Sequence, residues 1–162
     1  MTATATDGTA RWAVVASIRV VGMPKPGGSK KAFQHQHTGR IVVTDDCKTT
    51  KTWRADVRNA ALMEWGDRPL LDEPIRLGIV FILPRPKGHY GTGRNAGRLK
   101  PSAPAFPITK PDATKLLRST EDALTDVVWR DDSRIVAQTV HKAYGEPTER
   151  PGAVITVETL TD

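Results

Sequence analysis

Lys110-Pro-Asp-Ala-Thr-Lys-Leu-Leu-Arg-Ser-Thr-Glu-Asp-Ala-Leu-Thr-Asp-Val-Val-Trp-Arg-Asp-Asp132 is the stretch from which the rest of the chain is read. Leu116, Leu117, Ala123 and Leu124 supply apolar side chains for packing, while Thr114, Arg118, Glu121 and Thr125 fall in one narrow sector, so the segment reads as a helix with a polar face. Pro111 keeps Lys110 extended, and Asp112 then enters the first helical turn, where the macrodipole favours a negative charge. Beyond the helix, Val127-Val128-Trp129 reads as a short extended return and Asp131-Asp132 as a turn, whose two carboxylates repel unless a cation or solvent separates them. Acids interleaved with Lys and Arg suit metal-assisted chemistry on a phosphodiester. Carboxylates hold Mg²⁺ through hard oxygens, and a neighbouring cation offsets charge building on phosphate oxygens.

Working outward, Trp12 to Val21 reads as a first strand, and Gly22-Met-Pro-Lys-Pro-Gly-Gly ends it. Met23 to Arg40 carries Lys25, Lys30, Lys31 and Arg40 with no acid, which reads as a mobile basic loop from which Ile41-Val-Val-Thr44 returns as the second arm of a long hairpin. Thr50 to Trp65 has helical period through Trp53, Val57, Ala60, Ala61 and Glu64. Ile75 to Leu83, bounded by Pro74 and Pro84, is a strand whose apolar second half implies a central place and burial on both faces. Arg85 to Pro111 is too rich in Gly and Pro for regular structure. Ser133 to Tyr144 and Gly152 to Leu160 both have strand character, and Gly145 to Pro151 suits a hairpin between them. The fold class is therefore α+β, a single domain with a mixed, partly antiparallel sheet packed with helices. Residues 1–10 are expected to be disordered and 11–162 to form the domain.

Lys+Arg number 24 against 18 Asp+Glu, a formal +6, which favours a polyanion, with nucleic acid ahead of an anionic membrane surface. Arg85 to Arg118 contains eight Lys/Arg and one acid; Ser119 to Asp132 contains five acids and one base. A basic loop feeding an acidic helix would steer a phosphate backbone toward a metal. No apolar run reaches the length of a membrane span, and Met1 to Gly8 lacks signal-peptide character, so a cytoplasmic location is expected. The single cysteine, Cys47, excludes an internal disulfide and reads as an inert small side chain. His35 and His37 read as surface DNA contacts rather than metal ligands. His89-Tyr90 either stacks on an exposed base or serves the loop alone.

Lys110-Pro-Asp112, Asp122-Ala-Leu124, the Val128-Trp-Arg-Asp-Asp-Ser133 turn and the strand after it resemble the RusA family of Holliday junction resolvases, often encoded by phages and prophages. Gly22-Met-Pro-Lys-Pro-Gly-Gly-Ser-Lys-Lys-Ala-Phe33, Trp53-Arg-Ala-Asp-Val-Arg58 and Pro84-Arg-Pro-Lys-Gly-His-Tyr-Gly-Thr-Gly93 are similar to phage members, and the resemblance runs from Val14 to Thr159. It implies a homodimeric, Mg²⁺-dependent endodeoxyribonuclease, with Mn²⁺ as a substitute ion, that binds four-way DNA junctions and nicks opposing strands symmetrically during recombination, repair or phage DNA processing. The expected place of action is the cytoplasm of a bacterial host. By position, Asp112 matches the first essential aspartate, Asp131-Asp132 the acidic pair with Asp132 as its catalytic member, and Asp122 the acid of the Asp-Ala-Leu element.

After Lys-Pro-Asp the family commonly has any residue, an Asp, an Asn or Lys, two further residues, and a Lys or Arg. Here the last three named places hold Thr114, Lys115 and Arg118. Thr114 removes a carboxylate, and Glu121, two helical turns on, returns to the same face as its expected replacement. On this reading Asp112, Asp131, Asp132 and Glu121 hold the metal, while Arg118 contacts the scissile phosphate and Lys115 the flanking backbone. Lys25, Lys30, Lys31, Arg85, Lys87, Arg94, Arg98 and Lys110 grip the DNA. The rival readings are a junction- or DNA-binding protein with nuclease activity impaired by Thr114, and a small structural protein whose charge serves solubility.

Overall fold

The computed structural model describes residues 10–27, 31–34, 38–44 and 48–161. Residues 1–9, Lys30, His35, His37 and Cys47 lie outside the described residues, and of Lys31 only the backbone is described.

Six strands and two helices make up the described fold: β1 (Arg11–Val21), β2 (Lys31–Gln34), β3 (Ile41–Thr44), α1 (Lys48–Trp65), β4 (Ile75–Leu83), α2 (Ala113–Leu124), β5 (Ile135–Tyr144) and β6 (Gly152–Thr161). The main sheet has the order β1-β6-β4-β5, and β2 pairs with β3 in a separate antiparallel ribbon. β4 and β5 run parallel from Ile75↔Ile135 to Leu83↔Tyr144, joined by a crossover that contains α2. β6 inserts antiparallel between β1 and β4, so the sheet is mixed, as an α+β domain requires.

The expected β5–β6 hairpin is wrong. Gly145 to Pro151 carries the chain past the end of β4, with the Gly145 amide donating to the Leu83 carbonyl at 3.0 Å, and β6 lands one strand away from β5. The reason is coverage. β6 buries Ala153, Ile155, Val157 and Thr159, which need neighbours on both edges, whereas β5 leaves Val136, Ala137, Gln138, Thr139 and His141 exposed and tolerates the sheet edge.

The core lies between one sheet face and the two helices. Trp53, Val57, Ala61 and Trp65 face inward from α1, and Leu116, Ala123 and Leu124 from α2. They meet Ile18, Val20, Leu77, Ile79, Phe81, Ile155 and Val157 of the sheet. Full burial of each large side chain contributes about 1.5–3 kcal/mol. The two helices are tied together by polar links: Trp53 Nε1 donates to Thr120 Oγ1 at 3.2 Å, and Arg54 Nη2 to Asp122 Oδ2 at 2.8 Å. Asp122, which the resemblance matches to a family acid, is thus an interhelical partner. The other face of β4 is open at Arg76, Gly78 and Val80, with Arg76 stacked over Trp12 at 4.3 Å, so burial on both faces holds only for Phe81, Ile82 and Leu83.

Two loop expectations also change. The start of the supposedly mobile basic loop is pinned to the helices: Ser119 Oγ donates to the Lys25 carbonyl at 2.6 Å, Gly27 N to the Lys115 carbonyl at 2.9 Å, and Thr50 Oγ1 to the Pro26 carbonyl at 3.0 Å. The loop also contains β2, the unrecognised first arm of the hairpin with β3. Arg85 to Pro111 folds back on itself through short 3-10 turns at Lys87–His89 and Gly93–Asn95 and the Tyr90↔Leu99 and Gly91↔Ala96 bridges. No helix among the described residues is long and apolar enough to cross a membrane.

Candidate active site

α2 carries the expected site residues along its exposed face, and the two ends of the helix differ. At the start, Asp112 occupies the N-cap position with φ −71° and ψ 139°, yet its side chain makes no capping bond. It turns instead to Lys115 Nζ at 3.7 Å. The approach to Asp112 is held by a residue that sequence reading did not single out. Lys142 of β5 donates through Nζ to the carbonyls of Thr109 at 2.8 Å and Pro111 at 3.0 Å, on either side of Lys110. The peptide bond between Lys110 and Pro111 is cis. Beside this segment opens a cleft of about 480 Å³, bounded by the ends of β4 and β5, the chain around Lys25 and the Pro107-to-Asp112 segment.

At the far end of α2, Glu121 and Asp132 line one small concavity with Gln138 of β5. Asp132 is placed by the turn after the helix. Val127 and Val128 are not the expected extended return but a buried tight turn: Asp126 takes φ 63°, its amide donates to the Trp129 carbonyl at 2.8 Å, and Val127 and Val128 bond back to Leu124. Trp129, fully buried, bridges to Leu71 and Thr125. Its indole Nε1 donates to Asp132 Oδ1 at 2.8 Å, and Thr125 Oγ1 donates to the same oxygen at 2.6 Å. With Oδ1 engaged twice, Oδ2 is the oxygen left for a further partner. Asp72, also missed in the sequence, anchors the turn from outside by accepting from Arg134 at 2.8 Å.

Glu121 is half-buried, and its side chain accepts a hydrogen bond from Gln138 Nε2. Burial first, then the charges of Asp132 and Asp122, push its carboxyl up to about 7, with Gln138 and Arg118 acting the other way. The two carboxylates thus lie close enough for like charge to act between them. Asp131 belongs to a different arrangement: it caps the 3-10 turn Asp132–Arg134, and the Ser133 side chain and amide hold its carboxyl below the ordinary value.

The structure brings Glu121 to Asp132, a neighbour beyond the helix that the two-turn spacing from Thr114 did not address, and leaves Asp112 nine residues away, roughly 13–14 Å along the axis. Among the described residues no three His, Cys, Asp or Glu side chains gather closely enough to share one ion. Thr114, Lys115 and Arg118 are exposed between the two ends. Lys25 is half-buried at the cleft, and Lys110 is exposed at its edge. Lys87, Arg94 and Arg98 are exposed on the folded loop, whereas Arg85 serves that loop by donating to the Pro104 carbonyl at 2.8 Å and lying over the Tyr144 ring at 4.1 Å. His89 meets the same ring edge-on at 5.5 Å, so its aromatic contact is internal.

The paired carboxylates suit a hard divalent cation. Each offers an oxygen, and the positive charge would offset the repulsion that raises Glu121; Mg²⁺ commonly takes one or two carboxylates and completes its shell with water and phosphate. The family model for endodeoxyribonuclease RusA matches residues 22–158. The chain is also 26% identical over 128 residues to the uncharacterized protein YqaN of Bacillus subtilis (strain 168), spanning 78% of this chain and 82% of that protein.

Proposed function

The chain belongs to the RusA endodeoxyribonuclease family, which acts on Holliday junction DNA, and from that premise we propose that it resolves four-way junctions by Mg²⁺-dependent paired nicks, with Mn²⁺ able to replace Mg²⁺. The observation that carries the metal dependence is the Glu121–Asp132 pair, with Asp132 Oδ1 fixed by Thr125 and Trp129. Glu121 and Asp132 would hold the ion, which supplies Lewis-acid polarisation of the phosphate and a more acidic water. Arg118, three residues before Glu121 on the exposed side of α2, neutralises charge on the scissile phosphate. Lys115, paired with Asp112 at the start of the same helix, and Arg118 place two cations along α2 before Glu121. Asp131 adds negative potential beside the pair, and Asp112 acts on the flanking part of the strand. Two such sites in a C₂ dimer match the near two-fold symmetry of a junction and account for paired cuts. The place of action is the cytoplasm of a bacterial host, as a phage or prophage product.

Thr114, exposed and without a carboxylate, favours a second reading in which the protein binds junctions without cutting them. Incubation of synthetic four-way junctions with the protein separates the two. Symmetric products that need Mg²⁺ or Mn²⁺ and disappear with Asp132→Asn support the nuclease; tight binding with no product in either ion establishes the binder.

A further inference from the structure

The cleft beside the start of α2 has a character of its own. Its walls are largely apolar and flat: Met23, Pro86, Pro107 and Tyr144 contribute, and the Tyr144 ring is fixed by Arg85 over it and His89 against its edge. It lies beyond the carboxyl ends of the parallel strands β4 and β5, where crevices of α/β sheets commonly receive ligands. The rim carries Lys25, Lys110 and Lys115, with Asp112 the one acid among the lining residues. On either side of Pro107, itself buried, Phe106 is 66% exposed and Ile108 79% exposed. Large apolar side chains held in water next to lysines match a ligand with an apolar face and an anionic chain.

We propose that this cleft receives one unstacked nucleobase from the branch point of a DNA junction, its phosphates held by Lys110 and Lys115. An unpaired base has the dimensions and flat faces for walls of proline and tyrosine, and it brings a phosphate on each side. The base leaves a gap in the stack, and Phe106 and Ile108 present apolar surface to that gap, as apolar side chains do where proteins part base steps. An apolar peptide would use the same walls but would leave the lysine rim without counter-charges. This inference rests on the junction reading, yet it concerns recognition and not cleavage.

The test uses four-way junctions with 2-aminopurine at each branch-point position in turn, bound to the full chain without divalent ions so that no cutting occurs. The expected result is a severalfold rise in fluorescence at one position on binding. Met23→Trp, at a side chain 41% exposed, fills the cleft from its open side and should abolish the rise and weaken junction affinity about tenfold, the scale of one lost base stack. Phe106→Ser with Ile108→Ser, on exposed side chains that the fold does not need, should halve the rise or more. No rise at any position with the unaltered chain, or an unchanged rise with Met23→Trp and an intact circular dichroism spectrum, overturns the proposal. Cleavage in Mg²⁺ by the unaltered chain is scored separately, so a missing fluorescence signal with normal cutting removes the cleft alone, and a missing cut with a normal signal removes the nuclease alone.

Discussion

The two ends of α2 hold the same kinds of side chain in opposite electrostatic states. At the start, Asp112 is exposed and has Lys115 for company, while Lys142 draws the preceding carbonyls onto β5. At the finish, Glu121 and Asp132 face each other, with burial and like charge raising the Glu121 carboxyl to about 7. A satisfied carboxylate contributes little beyond local order, since an exposed ion pair is worth at most about 1 kcal/mol. A frustrated pair would favour a cation that relieves the repulsion. On the proposed mechanism the contrast would give substrate contact to one end and metal to the other.

The largest effect that would break this division is on metal binding and cleavage. Asp132→Asn is expected to remove junction cleavage by about a thousandfold and to weaken Mn²⁺ binding, measured by calorimetry, whereas Asp112→Asn should leave Mn²⁺ affinity within about threefold. Equal losses of Mn²⁺ affinity would show that both ends share one ion. Next in size, Trp129→Phe keeps most of the buried ring but deletes the donor to Asp132 Oδ1, and should lower metal affinity or turnover by about 10–100-fold. A variant with unchanged Mn²⁺ affinity would make the indole a packing residue only.

Smaller still, Lys142→Met should cost about 1–2 kcal/mol in urea unfolding through the loss of two charge-assisted hydrogen bonds, and should weaken junction binding while sparing Mn²⁺ affinity. In metal-free buffer Glu121 supplies a pH signature. Its folded-state pKa lies above the ordinary 4.5, so between about pH 4.5 and 7 the native state binds more protons than the unfolded chain, and stability falls as pH rises through that window. Glu121→Gln should flatten this dependence and gain on the order of 1 kcal/mol at pH 8, after allowance for solvent screening of a half-exposed group. The smallest change is Asp126→Gly, which relieves a left-handed backbone at φ 63° and should raise stability by up to about 1 kcal/mol. No gain in thermal unfolding would mean that the aspartate side chain offsets the strain.

Much of this was legible in residue spacing. Trp53, Val57 and Ala61 announced the buried stripe of α1, and Thr114, Arg118, Glu121 and Thr125 the polar face of α2, because helical contacts depend on neighbours three and four residues away. Even the return of Glu121 to a shared face follows from that period. The sheet was less legible. Gly145 to Pro151 looks like a hairpin loop, yet β6 pairs with β1 and β4, since strand order is set by which exposed faces the whole sheet must cover. Lys142 and Asp72 gave no local signal at all: one charged residue on an edge strand and one in a connection are ordinary until their partners, 31 and 62 positions away, are known.

By itself the sequence determined the family, both helices and five of the six strands, and the alternation of acids and bases along α2, because each depends on local order along the chain. The tertiary structure alone decided the order of the sheet, the hold of Lys142 on the carbonyls before Asp112 and the approach of Gln138 to Glu121. It also formed the cleft at the ends of β4 and β5. Those features arise where distant segments pack, and close packing fixes distances that spacing along a chain leaves free.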